Sequence, residues 1–139
     1  MITDTEEDVV FPWRKEYSVD MPQIDGQHKI LVGLINDLQS AMMEGRGKWA
    51  LADILDELIR YTRSHFAFEE DMLQKQGYSQ LPAHHAVHEG LTAQVCELRD
   101  RFQSGKLAIS MEVLRFLKDW LADHILRHDK DYAKELSGK

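Results

Sequence analysis

Four runs of apolar residues repeat at three- and four-residue steps along this chain, and short glycine-bearing connections separate them. Such spacing places the apolar side chains on one face of a helix, and that face must be buried against another element. The first run spans about Ile24 to Met43, after Pro22, with Ile24, His28, Leu31, Ile35, Leu38 and Met42 in register. The second, about Trp49 to Gln76, carries Leu51, Ile54, Leu58, Tyr61, His65, Phe68 and Met72, and Gly77 is a natural stop. The third, about Leu81 to Gln103, carries His84, His88, Leu91, Val95, Leu98 and Phe102; Pro82 suits its first turn. The fourth opens at Ser110, a good N-cap, and carries Leu114, Leu117, Leu121, His124 and His128 toward Leu136. No strand-like alternation competes. The expected fold is all-α: an antiparallel up-down-up-down four-helix bundle over residues 1–139 as a single domain, with residues 1–20 as an extended N-terminal leader.

Each of the four stripes holds at least one histidine where an apolar residue is expected: His28, His65, His84 with His88, and His124. One such histidine is ordinarily a satisfied core residue. Five buried imidazoles each need a polar partner, and rings from four helices cannot easily satisfy one another. A metal supplies that partner. The pairs His84 and His88, and His65 and Glu69, lie four apart and so stack on one helix face. In "HILRHDKDY" the carboxylate Asp129 follows His124 by five residues, a step that aligns on a π-type turn. Simple periodicity selects His128 instead.

Imidazole and carboxylate without thiolate suit iron, manganese, zinc or copper, and more than four ligands imply more than one ion. Two ions need bridging carboxylates, for which Glu69 and Asp129 are best placed. No glutamate has a histidine three residues on, so the Glu-x-x-His pattern of ferritin-like di-iron bundles is absent.

Composition narrows the alternatives. A net charge of −7, with scattered lysines and arginines, offers no basic stripe for nucleic acid. No apolar run is long enough to span a membrane, "MITDTEEDVV" is not a secretory signal, and the lone Cys96 suits a reducing compartment, so a cytoplasmic protein is expected. Trp13, Trp49 and Trp120, with the methionines and phenylalanines, read as bundle packing; Trp120 lies one turn before His124. His85, His128 and Glu70 read as solvent-facing neighbours of the candidate ligands.

The stretches "IDGQHKILVGLIN", "HFAFEEDM", "HHAVHEGL" and "WLADHILRHDKDY" together resemble the ligand signature of hemerythrins, specifically the bacterial ones. The resemblance extends over nearly the whole chain, including the "FPWRKEYSV" leader. It implies two non-haem iron ions joined by an oxo or hydroxo bridge: His84, His88 and His124 on one, His28 and His65 on the other, with Glu69 and Asp129 bridging both. It also implies one open coordination position, on the iron held by His28 and His65, as the place for molecular oxygen. The wall of that pocket would be dry and apolar. Leu31, one turn past His28, and Ile125, beside His124, are its candidates.

By this resemblance the expected function is reversible oxygen binding for carriage, storage or scavenging. An oxygen or redox sensor acting with a signalling or redox protein is the alternative; the ending "KELSGK", with no output domain after it, favours the first. A di-iron peroxidase, oxidase or nitric oxide-handling enzyme is the further alternative. It would need a buried general acid, for which Tyr61 is the nearest in register.

Overall fold

The computed structural model describes residues 9–137. Its rods are α1 (Pro22–Met43), α2 (Lys48–Gln76), α3 (Leu81–Gln103) and α4 (Met111–His124), the last continued by a π-helical turn (Ile125–Asp129) and α5 (Lys130–Ser137). Among the described residues there is no strand. α1 packs on α2 and on α4, and α2 packs on α3. Short turns between consecutive helices make these neighbours antiparallel, the bundle that the four stripes require.

The ends of the helices follow local chemistry. Pro22 stands in the first turn of α1, where its missing N–H costs nothing. Gly77 ends α2 in the left-handed region at φ 73°, and the Tyr78 N–H returns to the Leu73 carbonyl at 3.0 Å. Ser110 caps α4, its hydroxyl accepting from the Val113 N–H at 3.3 Å.

The leader lies along the bundle. Phe11 is fully buried and its backbone pairs twice with the Asn36 side chain, at 3.0 and 2.9 Å. A short 3-10 turn (Lys15–Tyr17) seats Tyr17 against Phe11 and Trp13. The leader's part over residues 1–8 lies outside the described residues.

Two apolar clusters divide the interior. The larger joins the leader, Leu31 to Leu38 of α1, Ala52 to Ile59 of α2, Val95 to Phe102 of α3, and Val113 to Ile125 on the fourth rod. The smaller is Leu73, Tyr78 and Tyr132. Along α1, α2 and α3 the buried polar residues fall between these clusters, and on the fourth rod Ile125 of the larger cluster stands between His124 and Asp129, so the histidines occupy a layer with apolar packing on both sides.

On α2 the buried face is Ala52, Leu55, Leu58, Ile59, Thr62, His65, Phe66, Glu69 and Leu73. This is one position around from the expected row. Leu51, Ile54, Tyr61 and Met72 are half-buried on its flank and Phe68 is exposed. The physical reason is that Thr62 and Glu69 belong to the inner row, and hydropathy alone skips polar residues. Trp49 is 85% exposed and Met43 71%, so neither packs in the bundle as their type suggests.

Because Gly77 needs a positive φ, Gly77→Ala should destabilise the fold by about 1 kcal/mol. Urea unfolding at unchanged m-value is the check; no loss of midpoint would contradict the role given to this turn.

Candidate metal centre

Seven side chains from all four rods meet in the polar layer: His28 from α1, His65 and Glu69 from α2, His84 and His88 from α3, and His124 and Asp129 from the fourth rod. All are buried, with Glu69, Asp129 and His28 at zero exposure. They fall into two overlapping groups of donor atoms, each within 4.8 Å: Glu69, His84, His88, His124 and Asp129; and His28, His65, Glu69 and Asp129. The carboxylates belong to both.

Their oxygens divide the same way. Glu69 Oε1 lies 2.8 Å from His84 Nε2 and 2.9 Å from His88 Nε2, while Oε2 lies 3.4 Å from His65 Nε2 and 3.8 Å from His28 Nε2. Asp129 Oδ1 is 3.0 Å from His124 and 3.2 Å from His84, and Oδ2 is 3.1 Å from His28. Each carboxylate thus turns one oxygen to the three-histidine group and the other to the two-histidine group.

The donor set fits metal ions better than it fits itself. His28 Nε2, His65 Nε2 and both Asp129 oxygens are buried, yet none makes an aligned hydrogen bond. His88 Nε2 and His124 Nε2 face each other at 3.2 Å, two nitrogens sharing one proton at most when neutral. Atoms aimed at common points rather than at partners are what a ligand cage requires.

The π turn explains Asp129. In a regular α-helix a five-residue step turns away by roughly 140°; the wider turn at Ile125–Asp129 brings Asp129 under His124. His128 is left half-buried to one side, its ring 5.4 Å from that of His124. It is therefore not the solvent-facing residue expected from sequence.

Outside the donors lies a set of orienting groups. Gln27 Oε1 accepts from His65 Nδ1 at 2.6 Å, and Glu70 Oε2 from His88 Nδ1 at 2.7 Å, turning each Nε2 inward. Glu70, expected in solvent, is thus bound on both oxygens, because His85 Nδ1 holds Oε1 at 2.6 Å. The Tyr132 hydroxyl donates to Glu69 Oε2 at 2.9 Å. Phe66 stacks on His88 with centroids 3.8 Å apart. Gln27 and Tyr132 went unread in the sequence: nothing marks Gln27, but Tyr132 follows Asp129 by three and shares its face once the π turn is allowed. Tyr61 packs against the large apolar cluster instead.

Comparison with known proteins points to one family. The family described as Hemerythrin HHE cation binding domain matches residues 19–136. Bacteriohemerythrin of Pseudomonas aeruginosa (strain LESB58) is 38% identical over 121 residues, 87% of this chain and 78% of that one. Bacteriohemerythrin of Stenotrophomonas maltophilia is 36% identical over 124 residues, 89% of this chain and 80% of its own. The crystal structure of a wild-type hemerythrin superposes with a TM-score of 0.81 at 33% identity, covering 90% of this chain and 96% of that one. Among the described residues, no helix is long and apolar enough to cross a membrane.

Without metal, the layer is held by protons. Burial opposes charge on Glu69, but the imidazoles of His65, His84 and His88 close around it hold it well below the usual carboxylate range. Burial and the Glu69 charge likewise oppose ionisation of Asp129, and His124 and His28 outweigh them. Burial lowers His84, yet the nearby carboxylates of Asp129 and Glu69 raise it to about 9. Burial, with the charges of Asp129 and Glu69, pushes Tyr132 up, so its proton stays available to Glu69.

The stabilisation from lowered carboxylates is present above their unfolded values and is lost as pH falls through the folded ones. That from raised His84 is full below 6.5 and is lost as pH rises through about 9. The metal-free protein should therefore be most stable between about pH 4.5 and 6.5 and weaken toward pH 9. Metal binding needs neutral imidazoles, so metal affinity should rise over that same upper interval. Thermal unfolding in chelator across pH is the check, and a metal-free profile rising toward pH 9 would contradict the assignment.

Proposed function

Because this chain belongs to the hemerythrin family, we propose that it binds molecular oxygen reversibly at a non-haem di-iron centre, for carriage, storage or scavenging. The observation that carries this reading is the division of each carboxylate's oxygens between a three-histidine and a two-histidine group. His84, His88 and His124 would hold one iron, His28 and His65 the other, and Glu69 and Asp129 would bridge them. An iron pair held by these residues would supply the redox chemistry toward a small bound molecule.

The protein's own part is orientation and exclusion. Gln27 and Glu70 keep the inner nitrogens of His65 and His88 directed at the metal positions. Tyr132 holds Glu69 by its hydroxyl, so the phenol that hydrogen-bonds to a ligand is already committed. Leu31 and Ile125 are fully buried in the large apolar cluster, next to the layer. In this reading they keep water and acid away from the His28 and His65 side, which makes a binding protein rather than an enzyme. A cytoplasmic location belongs to the same reading.

A sensing role draws on one contact: Lys130, the residue after Asp129, donates to the Ser18 carbonyl of the leader at 2.6 Å. A change at Asp129 would have a direct route to the leader and to a signalling or redox partner.

The anaerobically reduced, iron-loaded protein should develop a visible charge-transfer band on admitting oxygen and lose it when argon sweeps the oxygen out. A one-way change to a stable ferric spectrum would remove the carrier reading and favour redox sensing or enzyme chemistry. Ile125→Glu places an acid in the proposed wall and should speed autoxidation about tenfold; an unchanged rate takes Ile125 out of the wall.

A further inference from the structure

Thr62 lies fully buried on α2, and its hydroxyl has no hydrogen-bond partner. A helical threonine ordinarily returns its hydroxyl to the carbonyl four residues back, as Thr92 does to His88 at 2.9 Å in this same protein. Thr62 does not. Burying an unpaired hydroxyl is destabilising, and valine has the same shape and the same helix preference without that cost. Packing therefore gives no reason for threonine here.

Its position gives one. Leu58 and Ile59, a turn before it, belong to the large apolar cluster; His65 and Glu69, one and two turns after it on the same face, belong to the polar layer. Thr62 is thus the first polar group met on α2 between apolar core and donors. It precedes by one turn His65 of the two-histidine group, which has fewer protein donors than the other.

We propose that the Thr62 hydroxyl is a specificity-determining hydrogen-bond donor, kept unpaired for a small ligand with an acceptor atom that binds beside His65 and His28. The class is di- and triatomic molecules or anions with an exposed lone pair. Such a donor favours ligands that gain negative charge on binding over neutral ones of the same size. This assignment rests on the di-iron reading above.

The test compares the wild-type chain, Thr62→Val and Thr62→Ser, each by thermal unfolding in chelator and by azide titration of the ferric, iron-loaded protein with iron counted. Thr62→Val should raise the metal-free midpoint by a few degrees, roughly 2 to 6 °C. With both irons bound, it should weaken azide about tenfold, while Thr62→Ser stays within about twofold of wild type. Unchanged azide affinity in a fully loaded Thr62→Val, or a lowered metal-free midpoint, would overturn the role of Thr62 alone. A wild-type chain that takes up no iron would overturn the di-iron reading and this inference with it, and the iron count separates the two failures.

Discussion

Two carboxylates with no access to water, Glu69 and Asp129, are the constraint around which this bundle is arranged. A buried charge is tolerated only when fully partnered, and here the partners must come from every rod. Glu69 on α2 reaches histidines of α1, α2 and α3, and Asp129 reaches those of α1, α3 and α4. The four helices are therefore cross-linked at one level by electrostatics, while apolar packing above and below merely has to close the layer.

That arrangement explains why much was legible in the sequence. Histidines inside apolar stripes are chemically out of place, so His28, His65, His84, His88 and His124 stand out by periodicity, which also admits His128. Helix ends were also plain, because Pro22, Gly77 and Ser110 act through local backbone chemistry. Asp129 required one further step, a π turn, which the spacing of ligand types suggests and hydropathy does not.

The rest was hidden for a different reason. Gln27, Glu70 and Tyr132 act through contacts to residues on other helices or turns, and such pairings leave no period to read. On α2 the inner row contains Thr62 and Glu69, so the more apolar neighbouring row looked like the buried one. Trp49 was misjudged because side-chain type alone does not fix burial; it stands exposed in the first turn of α2, just after Gly47. Thr62 itself is an outlier from its own helix's chemistry, and only atomic detail reveals an absent bond.

The π turn has a consequence for how this helix can change length. Removing a residue from an ordinary α-helix swings everything beyond it by roughly 100°. Between His124 and Asp129 the backbone already absorbs one residue more than an α-helix would. Deleting one of Ile125 to His128 would convert the turn to regular helix and leave Asp129 and Tyr132 on their present faces, four and seven positions after His124 instead of five and eight. A segment that holds two of the most deeply buried groups in the molecule is thus also a stretch of the fourth rod that can lose a residue without dismantling what the helix carries.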